Sequence, residues 1–263
     1  MEVKRKGARR IIDIPPDILE QINRGEIETA NLTECLALDF AKLMSYVLPN
    51  ISDDVYGTRI EDAIAQMKAA SELGWMNRTR LASKLIYGCF GASIIDRLLA
   101  HTSDNVRGWA SGVVALIPNL SIEERLNLIK PLADDPNSGT RETVWLLMRE
   151  RIADNIEASI QALIPWTASD RENVRRFATE STRPRGVWCS HIPKLKESPN
   201  LGLPLLEPLK SDSARYVQNS VANWLNDAAK SQPDWVVNLT KRWLDESNTK
   251  ETHYIVKRGK RSL

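Results

Sequence analysis

The side chains that could do chemistry are most concentrated in residues 170–195. This stretch reads DRENVRRFATESTRPRGVWCSHIPKL and holds five arginines, the carboxylate of Glu180 and the indole of Trp188. Guanidinium groups bind phosphates and carboxylates through paired hydrogen bonds, so this density of arginine predicts contact with an anion. Asp170 as an N-cap and Pro184 as a helix breaker predict one short helix that starts near Glu172, followed by a bend.

The predicted helix is one member of a repeat. Similar segments place Arg107, Arg141, Arg175, Gln218 and His253 at equivalent positions, with steps of 34, 34, 43 and 35 residues. In three repeats a proline lies ten residues before the equivalent position, with an aspartate soon after it. A constant period of this length is typical of stacked helical hairpins. The longer step predicts an insertion of about nine residues around TRPRGVWCS.

Apolar residues at helical spacing predict a pair of helices in each repeat. The predicted pairs are 92–101 with 104–117, 121–132 with 138–153, 155–166 with 172–183, 200–210 with 214–230, and 233–246 with 249–261. Earlier helices are predicted at 15–24, 31–49, 59–73 and 78–90, and strictly alternating strand patterns are absent. The expected fold is all-α, a curved α–α superhelix (solenoid) of HEAT-like repeats. It forms one domain over 13–263, with irregular helices in 13–90 and regular repeats in 92–263.

Residues 1–12 form a basic segment without a helical apolar period. Lys4, Arg5, Lys6, Arg9 and Arg10 give it five positive charges. Two interpretations are open, a solvated arm and a strap that contacts phosphates.

Composition restricts the function classes. The 263 residues carry a formal net charge of only +2, so an anion-binding surface must be a local patch. Three widely separated cysteines fit a reducing compartment, and the sequence has no zinc-ligand spacing, P-loop or dinucleotide motif. No apolar run approaches the ~20 residues of a membrane span. We expect a cytoplasmic monomer with no membrane contact, no metal and no nucleotide cofactor.

The second helix of each pair has two faces. One collects apolar residues, such as Val106, Trp109, Val221 and Trp224, and is expected to form the core. The opposite face collects arginine, asparagine and glutamate, and in a curved stack it would line one basic groove. For Arg107, Arg141 and Arg175 a structural ladder between repeats is as well supported as a ligand role. Trp145 lies on the polar face. Its indole either contacts a functional partner or covers apolar surface between repeats.

The segments VRRFATESTRPRGVW and YVQNSVANWLNDAAKSQPDWV resemble the DNA alkylation repair family. This is the AlkC/AlkD superfamily of HEAT-like-repeat DNA glycosylases, and the AlkC-like branch is more similar than the AlkD branch. The resemblance covers nearly the whole chain and is strongest over 130–245. It implies excision of cationic alkylated bases, such as 3-methyladenine, from double-stranded DNA without a cofactor.

That reaction defines the candidate site. Because N-alkylation makes the purine a good leaving group, the protein must mainly stabilise an oxocarbenium-like sugar and place a water. The expected carboxylates are Glu142 and Glu180, with Asp227 third, and Trp145 would hold the cationic base or sugar. In the AlkD branch an aspartate is expected where this chain has Trp145, so catalysis would rest on Glu142 or Glu180. The expected DNA-binding residues are Arg149, Arg176, Arg183, Arg185, Trp188, Asn219, Asn223, Lys257 and Arg258.

Two other functions fit the sequence. A catalytically inactive homologue would bind unusual or branched DNA without releasing bases. A protein-interaction scaffold would bind an acidic peptide or helix in the same groove.

Overall fold

The computed structural model describes residues 5–52 and 57–263, and it contains only helices, turns and loops in these ranges. The α-helices are α1 Pro16–Asn23, α2 Leu32–Ala37, α3 Phe40–Asn50, α4 Gly57–Ala69, α5 Trp75–Phe90, α6 Ile95–Leu99, α7 Asp104–Leu116, α8 Ile122–Ala133, α9 Ser138–Asp154, α10 Ile156–Leu163, α11 Glu172–Glu180, α12 Pro193–Glu197, α13 Leu203–Leu206, α14 Arg215–Ala229, α15 Pro233–Glu246 and α16 Lys250–Gly259. Short 3-10 helices lie at Ile11–Asp13, Gly91–Ile94, Ile164–Ala168, Pro199–Gly202 and Glu207–Leu209. Within the described ranges, no helix has the length and apolar character needed to cross a membrane.

The predicted all-α fold of HEAT-like repeats is confirmed. The second helices α7, α9, α14 and α16 begin and end within two residues of their predicted bounds. The prediction of a single helix over 31–49 is wrong. Asp39 accepts a hydrogen bond from the Lys42 backbone N–H at 3.0 Å and caps α3, so a new helix starts after the extended residue Leu38. Asn31 caps the short α2 in the same way.

The predicted helix over 200–210 is also interrupted. It consists of α13 between two 3-10 helices, and each of these three pieces has a proline in its first turn. Proline lacks a backbone N–H and clashes with the preceding turn, so it begins helices but does not continue them. The N-cap of α11 is Arg171, one residue after the expected Asp170. The Arg171 side chain makes no capping hydrogen bond.

The chain divides into two compact units. The first comprises the described residues up to Leu120 together with Asp135–Leu147, and the second comprises Ser121–Asp134 and Met148–Leu263. The single-domain organisation over 13–263 remains a prediction.

Each unit has an apolar core built from the predicted faces of the second helices. In the first unit Val106 and Trp109 of α7 are fully buried, and in the second unit Val221 and Trp224 of α14 are too. Trp235, also expected in the core, is half-buried and packs against Trp224 with ring centroids 6.1 Å apart. Burying such side chains stabilises a fold by roughly 1.5–3 kcal/mol each, which makes these faces the main source of stability.

The equivalent positions of the repeats form a ladder of hydrogen bonds. Arg107 binds both carboxylate oxygens of Asp135, at 2.7 and 3.0 Å, and Arg175 binds those of Asp212 at 2.6 and 3.0 Å. Each arginine also donates to the carbonyl six residues before it, at 2.9 and 2.8 Å. Arg141 and Gln218 make the same contact, to the carbonyls of the two aspartates, at 2.5 and 2.7 Å. The interpretation as a ladder between repeats is therefore correct for Arg107 and Arg175.

The described part of the basic N-terminal segment lies against the start of α2. Arg5 donates to both oxygens of Glu34, at 2.6 and 2.7 Å, and Asn31 donates to the carbonyl of Ala8 at 2.8 Å. The guanidinium of Arg5 is thus paired within the protein, although its side chain remains about one third exposed. Lys4, which was assigned to the same arm, lies outside the described residues.

The ladder predicts that Arg175→Met is destabilising. The substitution leaves the carboxylate of Asp212 buried without its guanidinium partner, and we expect a loss of about 2–3 kcal/mol in the free energy of unfolding, measured by urea titration. Arg171→Met is the matched control. Arg171 pairs with Asp134 at 2.7 Å on the exposed surface, and its loss should cost less than about 1 kcal/mol. Equal effects of the two substitutions would contradict a buried ladder.

Candidate nucleic-acid interface

Helices α11, α14 and α16 are the second helices of their pairs and lie in the second unit. Helix α14 packs against both α11 and α16. Thr179 donates to the hydroxyl of Ser220 at 2.8 Å, which links α11 to α14. The hydroxyl of Tyr254 donates to Asn219 at 2.7 Å, and Arg261 donates to Asn223 at 2.9 Å, which link α14 to the C-terminal helix and the turn after it. The predicted polar face is therefore continuous across this unit, and both asparagines are already engaged by neighbouring side chains.

Two of the three expected catalytic carboxylates meet on one guanidinium. Arg183 donates to Glu180 at 2.7 Å and to Asp227 at 2.8 Å. Ser220 donates to the second oxygen of Glu180 at 2.7 Å, and Arg176 lies 3.7 Å from the same oxygen. We call Arg176, Glu180, Arg183, Ser220 and Asp227 the acid–arginine centre. Its two acids are only 4% and 3% exposed.

The carboxylate of Glu180 is held in its charged form. Burial opposes ionisation, but the charges of Arg176 and Arg183 and the hydrogen bonds from Ser220 and Arg183 outweigh it, so the pKa of Glu180 lies below its usual range. The same carboxylates raise the pKa of Arg183 despite its burial. Glu180 and Arg183 thus stabilise each other in their charged forms.

The sequence predicts that Arg149 binds phosphate, but the structure places its side chain in the protein interior. Its side chain is 1% exposed, and it donates to the carbonyls of Ser181, Arg183 and Ser190 at 2.8, 2.5 and 3.2 Å. Its pKa is lowered, mainly by burial. Arg149 thus holds residues 181–190 in place and does not present its charge to the surface. Arg185, in that segment, donates to the carbonyl of Asp227 at 3.3 Å.

Exposed cations surround Tyr254 at the edge of this face. Arg215 stacks on the Tyr254 ring with its guanidinium carbon 3.5 Å from the centroid, and Arg258 lies 5.5 Å from it. Within the described ranges, Arg215, Lys257 and Arg258 have no carboxylate within ion-pair distance. The pKa of neighbouring Arg261 is lowered, first by burial and then by the charge of Arg258. We call these four cations the Tyr254 cluster. It is a local excess of positive charge.

Some cations elsewhere in the same unit are neutralised. Arg242 of α15 pairs with Glu207 and Glu246, and Lys210 pairs with Glu246 at 2.5 Å. Among the described residues, the charges of Arg215, Lys257 and Arg258 are not balanced in this way, so an anion would be attracted to them.

Glu142 and Trp145 lie in the first unit, on α9. The indole N–H of Trp145 donates to the Glu142 carboxylate at 2.8 Å, one helical turn away. The Trp145 ring is buried and Glu142 is half-buried. The indole thus has a carboxylate partner within its own helix and its ring is buried, and a functional role for Trp145 stays a prediction.

The sequence analysis missed Arg215, Tyr216 and Ser220. Arg176 lies over the Tyr216 ring at 4.2 Å, which extends the cation–aromatic contacts from α14 to α11. Arg215 precedes Asn219 by one helical turn, so helical spacing places it on the same face and could have identified it. Within the described residues, no group of three or more histidine, cysteine or acidic side chains could hold a metal ion.

Comparison with known proteins agrees with this arrangement. Residues 140–258, which include α11, α14 and most of α16, match the family model described as DNA alkylation repair enzyme. The match covers somewhat less than half of the chain and makes this part of it similar to DNA alkylation repair enzymes. Over 107 residues it is 39% identical to the uncharacterized protein YhaZ of Bacillus subtilis, a match that covers 41% of this chain and 29% of YhaZ.

Two solved structures share the fold. One is the alkylpurine DNA glycosylase AlkC of Pseudomonas fluorescens bound to DNA containing an abasic site analog, with a TM-score of 0.68 and 24% identity, covering 93% of this chain and 64% of AlkC. The other is AlkD2 of Streptococcus mutans, with a TM-score of 0.56 and 20% identity, covering 84% of this chain and 96% of AlkD2. The chain thus matches less than two thirds of the length of YhaZ and of AlkC.

The acid–arginine centre predicts an acid-sensitive contribution to stability. Because folding lowers the pKa of Glu180, its charge stabilises the fold above about pH 4.5 and this contribution is lost as the pH falls through the folded-state pKa. The difference in unfolding free energy between the native protein and Glu180→Gln should be largest near neutral pH and shrink below about pH 4. Chemical denaturation at both pH values measures it. Glu172→Gln, an exposed position on α11, should change little at either. A pH-independent difference would refute the assignment.

Proposed function

We propose that this protein is a DNA repair glycosylase that binds duplex DNA on the polar face of α11, α14 and α16. It hydrolyses the N-glycosidic bond of cationic alkylated bases such as 3-methyladenine. The observation that carries the proposal is the Tyr254 cluster, an unbalanced positive surface adjoining the buried carboxylates of the acid–arginine centre. The similarity of residues 140–258 to DNA alkylation repair enzymes supports the same conclusion.

DNA is held through its phosphates in this proposal. Arg215, Lys257, Arg258 and Arg261 meet one strand, and Arg176 and Arg185 extend the positive surface toward the acid–arginine centre. Stacking on Tyr254 orients the guanidinium of Arg215 before DNA arrives, so less side-chain entropy is lost on binding. Asn219 and Asn223 keep the aromatic and basic groups in place through their hydrogen bonds.

Hydrolysis then depends on charge that is already in position. An alkylated purine leaves as a neutral base, so the bond breaks without protonation and the sugar becomes an oxocarbenium-like cation. The ionised Glu180 stabilises that cation, and Asp227 orients the water that attacks the anomeric carbon and accepts its proton. Arg183 binds both acids in the free protein, and an incoming phosphate competes for its guanidinium and frees their negative charge.

Glu142 and Trp145 of the first unit are the alternative candidates for the catalytic groups. Glu142 is more exposed than the acids of the centre, and the Trp145 ring can contact a cation with an interaction of about 0.5–2 kcal/mol. Their hydrogen bond fixes the carboxylate relative to the indole.

One observation favours the inactive DNA-binding alternative. Glu180 and Asp227 are nearly fully buried and both are paired with Arg183. If binding leaves these pairs intact, the carboxylates serve only stability, and the protein binds DNA without cutting it.

The release of alkylated bases distinguishes the active glycosylase from the inactive DNA-binding protein. Duplex DNA treated with N-methyl-N-nitrosourea is incubated with the protein, and released bases are separated by chromatography. We expect release of 3-methyladenine, and a reduction of roughly 100-fold or more in Glu180→Gln and Asp227→Asn, the size of effect typical when one electrostatic catalytic group is lost. Glu142→Gln tests the other pair. Binding of each variant to the same DNA controls for folding. Binding by the native protein with no base released would establish the inactive alternative.

The dependence of DNA affinity on salt concentration tests which residues contact phosphates. Each phosphate contact contributes to the dependence of affinity on salt, so Lys257→Gln and Arg258→Gln should each lower the slope of log K against log salt by about one. Lys241→Gln, an exposed lysine of α15, should leave the slope unchanged. Equal slopes for all three variants would exclude the Tyr254 cluster as the phosphate-binding surface.

A further inference from the structure

The insertion between α11 and α12 forms a closed loop on a buried support. The neck of the loop is joined by a hydrogen bond from the Ile192 backbone N–H to the Pro184 carbonyl at 3.0 Å. Arg149 holds the carbonyls of Ser181 and Arg183 on one side and of Ser190 on the other. Since both ends are fixed by one buried guanidinium, the tip between them projects from a rigid base.

The tip presents two large apolar side chains to solvent. Val187 is 63% exposed and Trp188 is 54% exposed, the largest adjacent pair of this kind in the second unit. Trp188 has a φ of 65°, in the left-handed region, which costs a bulky residue of order 1–3 kcal/mol. A Cβ at Gly186 would lie 1.9 Å from the sulfur of Cys189, so only glycine allows this close turn.

The surroundings of the tip are basic. Arg185 precedes it and donates to the hydroxyl of Ser231 at 2.7 Å. The pKa of His191, which follows it, is lowered by partial desolvation and then by the charges of Lys196, Arg185 and Arg149. An exposed indole within a positive field matches a nucleic acid, which offers phosphates around stacked bases. A purely apolar protein partner would not require these cations.

We propose that Val187 and Trp188 form a wedge that enters the base stack of duplex DNA where damage has weakened it. This inference rests on the proposed function and adds the means by which damage is recognised. Opening a base step costs least where a base is missing, mispaired or altered. Stacking of the Trp188 ring offsets that cost, and the rigid base on Arg149 keeps the indole in position before binding. The wedge therefore raises affinity for damaged over intact duplex, while phosphate contacts bind both equally.

The test compares two duplexes of one sequence, one with a tetrahydrofuran abasic analogue and one intact, each with 2-aminopurine beside the site. Native protein should bind the abasic duplex more tightly and raise 2-aminopurine fluorescence as the neighbouring base unstacks. Trp188→Ala should reduce the ratio of the two affinities by roughly 5-fold or more and abolish the fluorescence change, since one base–aromatic stack contributes at least that factor. Trp188→Phe should retain most of both.

Val237→Ala is the control, because Val237 is a similarly exposed apolar side chain on α15. The salt dependence of binding should be the same in all these variants, which shows that the phosphate-binding surface is intact. An unchanged affinity ratio and fluorescence response in Trp188→Ala would overturn the wedge while leaving the proposed function standing. Failure of the native protein to bind either duplex would instead remove the proposed function itself.

Discussion

The second unit depends on buried guanidinium groups that are fully engaged by oxygen atoms. Removing an arginine side chain from water is costly unless each donor finds a partner, and here carboxylates and backbone carbonyls provide them. Arg175 joins its repeat to the next through Asp212, Arg149 fixes a loop through three carbonyls, and Arg183 bridges Glu180 and Asp227. One residue type thus connects repeats, shapes the loop and assembles the acidic centre.

This use of arginine explains how a nearly neutral chain can have a strongly positive surface. The formal net charge is only +2, but many cations are consumed in ion pairs. Arg242 and Lys210 are neutralised by Glu207 and Glu246, whereas the Tyr254 cluster on α14 and α16 lacks acidic partners within the described residues. The capacity to attract a polyanion therefore comes from the distribution of charge and not from its total.

The same pairing links stability to the proposed chemistry. A carboxylate that must stabilise a cationic transition state has to be ionised in a partly dry site, which is unfavourable without nearby positive charge. Arg176 and Arg183 supply that charge to Glu180 in the free protein. In the proposed reaction DNA phosphate competes for the guanidinium groups, so binding and activation of the carboxylates would be one event.

Much of the fold could be predicted because it is encoded locally and repeatedly. The period of about 34 residues, the prolines that precede three of the second helices and the apolar spacing along α7 and α14 located the helices and the core. The structure departs from the predicted helices where one side chain redirects the backbone. At Asp39 a cap divides a continuous apolar pattern into α2 and α3, and periodicity does not register a cap within such a pattern.

The sequence by itself determined the all-α repeat fold and the polar face of the second helices, because both depend on spacing along the chain. Only the tertiary structure decided what each arginine meets. Arg149 and Arg183 occur on the same predicted face, but the 181–192 loop folds over the first and leaves the second between two acids. Apart from the Arg183–Glu180 pair, these contacts join residues more than thirty positions apart, which helical periodicity does not encode.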